Sequence, residues 1–249
     1  PQLKEVCLML NHGDESGTRM LFDSLRTLSL TAVQVFFFSK MGFVFAEQLC
    51  VFLQTSESLE YIRITCSNEN FREGFCRELS SAPFASKSLR SLAVAFSLNC
   101  DQVDSVLGAI QNPSCLRRLD LRADSAVLLP AFKKHFSTFR FWGLRELITT
   151  GFSTRVAEFL LLLAQNTRLQ ALVSHSLTTD HFENAPLESH LLEQGWLTKL
   201  FVNGELSQSI KDKLARNQKR HERCNRTCLG LIAMRRKKRM LSNVPTDLI

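Results

Sequence analysis

The sequence lacks any long apolar run. No stretch reaches about 18 uninterrupted apolar residues, which is roughly the length that a helix needs to cross a bilayer. We therefore predict no membrane-spanning segment. Apolar residues still make up 45% of the chain, as is typical of folded proteins.

Linear motifs of catalysis and cofactor binding are also missing. The chain has no Gly-rich phosphate loop, no His-Glu-x-x-His and no Gly-x-Ser-x-Gly. Its 6 histidines are dispersed, and no Ser, Cys or carboxylate forms a signature with any of them. We expect a protein that is not an enzyme and that uses no cofactor or small-molecule substrate.

The 8 cysteines lack the paired spacing of a disulfide framework. Their scatter indicates buried apolar thiols in an intracellular, reducing compartment. His221, Cys224 and Cys228 share one helical face, but no second Cys or His pair lies nearby to complete a zinc site. We therefore expect no bound metal.

What the sequence does contain is one apolar pattern, L-x-x-L-x-L with apolar replacements, in eight copies. Leu116 to Leu121 is the clearest copy. The copies start at Leu3, Leu25, Leu59, Leu89, Leu116, Leu144, Leu169 and Leu197. Successive starts are 22, 34, 30, 27, 28, 25 and 28 residues apart. A period of this length indicates a solenoid.

Each copy predicts a short strand, because its last two apolar positions are two residues apart and point to the same side. A single repeat cannot bury these residues, whereas stacked repeats bury them against each other and pair the strands in parallel. Between the copies, apolar residues recur at helical spacing. Val103, Val106, Leu107 and Ile110 are one such stripe, and they predict a helical return.

This pattern resembles the leucine-rich repeat family, in its ribonuclease-inhibitor-like branch with helical returns. The resemblance implies an α/β fold: a curved solenoid with a parallel sheet on the concave side, helices on the convex side and a helical C-terminal cap. It implies about eight repeats over residues 1–205 and a basic helical cap and tail over 206–249. Thr149 and Ser174 stand where the motif has leucine, so we expect a less regular second half.

The segment between the second and third copies is the longest return in this alignment, over residues 31–58. It is rich in phenylalanine: Phe36, Phe37, Phe38, Phe43 and Phe45. We expect these side chains to fill the core beside a helix over residues 46–54. An exposed apolar contact patch is the alternative.

The strand residues that flank the inward apolar positions predict a binding surface. They point to the concave face, which solenoids use for contact, and Tyr, Phe and Arg dominate such interfaces. The predicted partner-binding residues are Tyr61, Arg63, Arg118, Asp120, Arg122, Glu146, His175, Lys199 and Phe201. In the second copy the same positions are Thr27, Ser29 and Thr31. A solvated sheet face without a partner is the alternative.

Charge is concentrated near the C-terminus. From Lys211 to Arg239 there are 12 Lys and Arg and 2 acidic residues, a net of +10, which leaves −3 for the rest of the chain. The basic run at 235–239 suits a solvated helix end, a nuclear-import or nucleic-acid patch, or contact with anionic lipid. No aromatic residue interleaves with it, which weakens the nucleic-acid option. We expect a protein partner and neither nucleic acid nor a membrane.

The tail carries a second resemblance. Three segments (214–222, 229–236 and 244–249) resemble tails of some repeat proteins from amoeba-infecting intracellular bacteria, such as Legionella, and from giant viruses. This implies an effector that binds a host protein in the cytoplasm of a eukaryotic cell. Pro245 to Ile249 also resembles the opening of an F-box. The alternative is therefore a ubiquitin-ligase substrate receptor whose F-box follows Ile249. Because the chain starts at Pro1 without Met, we expect it to be a fragment.

Overall fold

A computed structural model describes residues 3–10, 14–38, 42–138, 141, 143–151, 156–166, 168–174, 197–201 and 205–242. Its strands are β1 (Glu5–Leu10), β2 (Ala32–Phe37), β3 (Tyr61–Cys66), β4 (Ser91–Ser97), β5 (Arg118–Asp124), β6 (Glu146–Gly151), β7 (Ala171–Ser174) and β8 (Lys199–Phe201). Its helices are α1 (Glu15–Arg26), α2 (Gly42–Thr55), α3 (Glu69–Leu79), α4 (Cys100–Gly108), α5 (Ser125–Thr138), α6 (Val156–Asn166) and α7 (Gln208–Ser242).

The eight strands form one parallel sheet whose spatial order follows the sequence. Equivalent residues of successive repeats lie side by side, as Leu92 does between Ile62 and Leu119. The backbone N–H groups of Arg90 and Ser91 both donate to the Glu60 carbonyl, at 2.8 and 3.0 Å. The same double contact recurs from repeat to repeat along the sheet. The result is a solenoid-like α/β fold built from stacked strand–helix units, as the repeat pattern predicts.

The hydrophobic core lies between the sheet and the helices. Inward strand residues such as Ile62 and Ile64 are buried against helix residues such as Phe71 and Phe75. Aromatic rings connect the first four repeats, with neighbouring ring centroids between 4.5 and 6.2 Å apart along the series Phe22, Phe45, Phe37, Phe71, Phe75 and Phe96. Such edge and stacked pairs add about 0.5–1.5 kcal/mol each beyond the burial of their surface.

The second repeat begins at Leu30, and the prediction that it begins at Leu25 is wrong. Residues 15–26 form a helix, because Asp14 caps its start and accepts a hydrogen bond from the Gly17 backbone N at 2.6 Å. Leu25 is buried from this helix, one turn after Phe22. Apolar residues three apart therefore belong to a helical stripe here and not to a strand.

The strand of the second repeat is β2, within the motif Leu30-x-x-Val33-x-Val35. Val33 and Val35 lie opposite Val6 and Leu8 of β1. With Leu30 as the start, the first two spacings become 27 and 29 residues instead of 22 and 34. The repeat is thus more regular than the predicted alignment.

The Phe-rich segment is therefore a strand and a helix, and not an insertion. Phe37 and Phe45 are buried, as expected of core residues, whereas Phe38 and Phe43 are exposed by 53% and 43%. The predicted helix over 46–54 is present and begins earlier, at Gly42. The core expectation thus holds for Phe37 and Phe45, and a contact role for the exposed Phe38 and Phe43 stays a prediction.

A long C-terminal helix follows the last strand. The predicted helix through Ile210 and Leu214 is confirmed, and α7 continues without a break to Ser242, over about 52 Å at 1.5 Å per residue. Ile210, Leu214 and Asn217 are buried on one side, whereas every side chain of residues 222–227 is exposed. In the described part of the chain, no helix combines the length and apolar character of a membrane span.

Candidate partner-binding face

The strand register aligns outward side chains in rows across the sheet, and we call this surface the outer face. The first row is Glu5, Ala32, Tyr61, Ser91, Arg118, Glu146, Ala171 and Lys199. The second row is Cys7, Gln34, Arg63, Ala93, Asp120, Ile148, Val173 and Phe201. Because neighbouring strands lie about 4.8 Å apart, side chains in one row contact those of the next strand.

The outer face brings six of the nine predicted binding residues together, and we call them the central cluster. These are Tyr61, Arg63, Arg118, Asp120, Arg122 and Glu146, on β3, β5 and β6. Lys199 and Phe201 lie on β8, three strands beyond β5 and therefore about 14 Å from it. Phe201 is 58% exposed. His175 lies outside the described residues.

Strand β4 runs through the middle of the central cluster and carries only small outward side chains. We call Ser91, Ala93 and Ala95 the β4 trough. Ala93 and Ala95 point outward but are only 4% and 5% exposed. They are covered because longer side chains, such as Arg63 on β3, stand on the neighbouring strands. The trough is thus a shallow groove between two taller rows.

Asp120 is the electrostatic centre of the cluster. Its carboxyl group is half-buried, and burial raises its pKa, with the negative charge of Glu146 acting in the same direction. The positive charges of Arg118, Arg63 and Arg122 act in the opposite direction but do not outweigh burial. The outer face therefore holds a carboxylate whose charge is only partly compensated.

The neighbouring pair Arg118 and Glu146 is more loosely held. The Arg118 Nη1 atom lies 3.5 Å from Glu146 Oε2, and both side chains remain a third or more exposed. An ion pair with this exposure contributes about 0–1 kcal/mol to folding stability. Both groups can therefore exchange this contact for a partner's polar groups at little cost.

Three buried polar atoms beside the trough have no hydrogen-bond partner among the described residues. They are Arg63 Nε, Thr65 Oγ1 and Ser91 Oγ. Leaving a buried polar group unsatisfied costs roughly 1–3 kcal/mol. The Arg63 guanidinium meanwhile lies 6.0 Å from the centre of the Phe36 ring, at the outer limit of a cation–π contact. The three unsatisfied atoms are buried beneath neighbouring side chains and are not themselves exposed to a partner.

The predicted contribution of the second repeat to this face is wrong. Thr27 caps the end of α1, and Ser29 and Thr31 lie in the connection before β2. The outward residues of β2 are instead Ala32, Gln34 and Phe36. Sequence reasoning missed Phe36, although the match of Leu30-x-x-Val33-x-Val35 to the repeat motif gave the signal that would have found it.

A second concavity lies on the helical side, between the end of α3 and helices α4 and α5. It is a cleft of about 320 Å³ whose lining includes Asp104, Ser105, Lys134 and His135. The Asp104 carboxylate accepts hydrogen bonds from Lys134 Nζ at 2.7 Å and contacts His135 Nε2 at 2.9 Å. Burial raises the pKa of Asp104, but these two contacts outweigh it and leave the pKa below its usual value. The polar groups of this cleft are engaged with one another.

Seven cysteines are free thiols: Cys7, Cys50, Cys66, Cys76, Cys100, Cys115 and Cys224. Cys50, Cys66 and Cys76 are buried as predicted, Cys100 and Cys115 are only half-buried, and Cys7 and Cys224 are exposed. Burial raises the pKa of Cys66 to about 11 and that of Cys76 to about 12. Within the described residues, no group of three or more His, Cys, Asp or Glu side chains is arranged to hold a metal ion.

Comparison with known proteins adds no relative to these observations. A scan against protein-family models gives no match, and a search of the curated proteins gives none either.

Proposed function

We propose that the chain is a non-enzymatic protein-binding module of the leucine-rich repeat type, and that it binds its partner through the outer face. The observation that carries this proposal is the β4 trough of small side chains, with the partly or fully exposed side chains of Tyr61, Arg63 and Arg118 on the strands beside it. A partner strand or loop that lies over the trough would contact these flanking side chains.

The residue types around the trough support a protein as the partner. Tyr61, Arg63 and Phe36 offer amphipathic and cationic surface of the kind that is enriched in interface hot spots. Glu146 and Asp120 add charges of the opposite sign, which favours a partner with a mixed polar surface. A uniformly charged polymer would meet repulsion from one half of this cluster.

The repeat assignment is part of the proposal. The stacked strand–helix units, the one-repeat register and the regular spacing of 25–30 residues from Leu30 onward are typical of leucine-rich repeats. This assignment also implies that the sheet is curved and that the outer face is its concave surface. The narrower role, an effector that acts on a host protein, depends on the tail resemblance alone. No observation on the described residues favours the ubiquitin-ligase alternative.

The proposal is tested by partner capture from eukaryotic cell lysate with the wild-type chain and the double variant Arg63→Glu, Arg118→Glu. These changes reverse two charges beside the trough without touching the core. We expect the variant to lose a captured protein that the wild type retains. Reconstitution with that purified protein should then give a Kd raised by at least about tenfold, since loss of a hot-spot contact costs more than roughly 1.4 kcal/mol.

The matched control is Arg19→Glu, Arg77→Glu, which changes the net charge equally on helices α1 and α3. It should capture the same protein as the wild type. Thermal unfolding of all three chains establishes that the variants fold. Equal capture by both folded variants would refute the assignment of the outer face.

A further inference from the structure

Three arginines lie at the edge of the sheet where the strands begin, in three successive repeats. Arg117 and Arg145 directly precede β5 and β6, and Arg168 lies three residues before β7. Backbone contacts stack these segments, since Arg145 N donates to the Arg117 carbonyl at 2.8 Å. We call Arg117, Arg145 and Arg168 the arginine edge.

Two of these guanidinium groups are held in position by backbone carbonyls. Arg117 Nη1 donates to the Ser114 carbonyl at 3.1 Å and to the Gly143 carbonyl at 2.9 Å. Arg145 Nη1 donates to the Arg168 carbonyl at 3.2 Å. Gly143 leaves room for this arrangement, because a Cβ atom there would collide with the Arg117 guanidinium and the Ser114 carbonyl. Each side chain thus leans toward the next repeat along a fixed line.

The arginine edge is a concentration of like charge. The pKa of Arg145 lies below its usual value, first because of burial and then because of the positive charges of Arg117 and Arg168. Within the described residues, no ion pair joins Arg117 or Arg145 to a carboxylate. Like charges this close repel one another, so a bound counter-charge would stabilise this edge.

Helix α7 docks beside the arginine edge and extends it. The His221 ring contacts the Gln170 side chain at 2.6 Å, and the Gln170 backbone N donates to the Arg145 carbonyl at 2.7 Å. The helix therefore meets the sheet directly next to the arginine edge. Between residues 211 and 226 it carries seven Lys and Arg and two acidic residues.

The basic residues of α7 surround its exposed side. Ile210, Leu214, Asn217 and His221 lie on one face, at intervals of three or four residues, and Ile210, Leu214 and Asn217 are buried there. At 100° per residue, the seven basic residues of 211–226 cover an arc of about 200° on the other side. The basic run 235–239 belongs to the same helix.

We propose that the arginine edge and α7 together bind the phosphate backbone of duplex nucleic acid. Arginine forks match phosphate oxygens in bidentate geometry. The arginine edge forms a line of fixed charges across successive repeats, and α7 continues this line with basic residues around its exposed side. This shape fits a linear polyanion that carries phosphates on more than one side. This activity is separate from protein binding by the outer face, which lies on a different surface of the sheet.

The composition of the surface selects the duplex over other polyanions. A helix that binds a bilayer needs an apolar face toward the lipid, and the apolar side of the described part of α7 is packed on the sheet. Exposed carboxylates of an acidic protein would gain only about 0–1 kcal/mol per ion pair. Duplex phosphates release condensed counterions, so charge alone suffices for binding. The absence of aromatic residues on α7 excludes base stacking and therefore disfavours a single strand.

This inference departs from the expectation that nucleic acid is not a partner. The sequence shows the basic tail but not that Arg117, Arg145 and Arg168 lie together beside it. The separations of 28 residues between Arg117 and Arg145 and of 23 between Arg145 and Arg168 hide the arginine edge until the repeats are stacked.

The test is fluorescence anisotropy with a labelled duplex of about 20 base pairs, two turns of DNA, across a series of salt concentrations. The test variant is Arg117→Gln, Arg145→Gln. Two lost phosphate contacts should lower the magnitude of the slope of log K against log salt by about 1.8, and the affinity at about 0.1 M salt by roughly 60-fold. The control Arg19→Gln, Arg77→Gln, with the same change in net charge, should bind like the wild type.

A second variant guards against misfolding of the first. Arg220→Gln, Arg223→Gln changes exposed residues of α7 and leaves its buried face intact. It should reduce the affinity and the slope in the same way. Binding that is equal for all variants, or undetectable at about 50 mM salt, would overturn the proposal. So would binding to vesicles with anionic lipid or to poly-glutamate that exceeds duplex binding at equal charge, because the surface would then serve a membrane or an acidic protein.

Discussion

Asn217 on α7 donates a hydrogen bond from Nδ2 to the backbone carbonyl of Leu197, at 2.9 Å, and only 8% of Asn217 is exposed. Leu197 begins the last repeat, and the next residue, Thr198, donates its backbone N to the Gln170 carbonyl. One side-chain amide therefore ties the C-terminal helix to the backbone ladder of the sheet. Ile210 and Leu214 pack on the same side and exclude water from this bond.

Replacing Asn217 by Ala should loosen α7 while the sheet stays folded. The Leu197 carbonyl would lose its buried donor, at a cost of roughly 1–3 kcal/mol. We expect faster amide hydrogen exchange over residues 208–221, with β2 to β5 unchanged. The matched control Gln218→Ala removes an exposed amide from the next position of the helix. Uniformly faster exchange throughout the chain would show that α7 is not a separate unit.

The repeat pattern predicted most of the fold because each copy contains apolar residues that must be buried against the next copy. Seven of the eight strands lie in the copies that the pattern identified, since each copy pairs a leucine in the preceding turn with two inward strand residues. The second repeat was misplaced because Leu25, on helix α1, and Leu28, in the connection after that helix, together match the pattern. The Asp14 carboxylate caps a helix at this place, because it accepts a hydrogen bond from the Gly17 backbone N. This contact depends on local backbone geometry, which the repeat pattern does not contain.

The candidate site was predictable where it depends on alternation along a strand. Tyr61, Arg63, Arg118, Asp120, Arg122 and Glu146 point outward because the residues between them point inward. The unsatisfied atoms Thr65 Oγ1 and Ser91 Oγ could not be predicted in this way. Whether these two oxygen atoms are buried depends on the lengths of side chains on the neighbouring strands. No single segment of the sequence contains all of these side chains.

Two glycines on helices should respond in opposite ways to a Cβ atom. In Gly42→Ala the new carbon would lie 2.8 Å from Asn68 Oδ1 and would collide with the Phe71 backbone N, where α2 meets α3. We expect a loss of about 1–3 kcal/mol in the free energy of unfolding. In Gly108→Ala the nearest contact is an ordinary 3.5 Å, to His135 Cε1. This variant should gain up to about 1 kcal/mol from the better helix former. Urea denaturation measures both, and equal effects would contradict the packing at Gly42.

The cysteines should differ sharply in reactivity. Only the thiolate reacts with iodoacetamide, and burial raises the pKa of Cys66 to about 11 and that of Cys76 to about 12. The exposed Cys7 and Cys224 should therefore be alkylated in the folded protein at pH 8, and the buried pair only after denaturation. Peptide mass spectrometry of native and urea-treated samples measures this. Rapid labelling of Cys76 in the native state would contradict its burial in the core beneath α3.

Asp104 and Asp120 should give opposite stability changes when each is replaced by Asn. The contacts with Lys134 and His135 lower the folded-state pKa of Asp104 below its usual 3.8. Its carboxylate therefore stabilises the fold above pH 3.8, and this contribution is lost as the pH falls through the lowered pKa. Burial raises the folded-state pKa of Asp120 above 3.8, so its charge destabilises the fold at neutral pH. That penalty disappears as the pH falls through the raised pKa toward and below 3.8.

The expected outcome at pH 7 is that Asp104→Asn is less stable than the wild type and Asp120→Asn is more stable. Both differences should shrink toward zero as the pH is lowered, because the wild-type carboxyl groups then become neutral like the amide. The difference for Asp120→Asn should close first, since its pKa lies on the high side of 3.8 and that of Asp104 on the low side. Urea denaturation of the three chains from pH 7 to pH 3 measures both differences. A destabilising effect of Asp120→Asn at pH 7 would contradict this prediction. It would show that attraction to the three neighbouring arginines outweighs the burial of Asp120. The charges of the outer face would then already be compensated within the fold, which would weaken the case for a partner there.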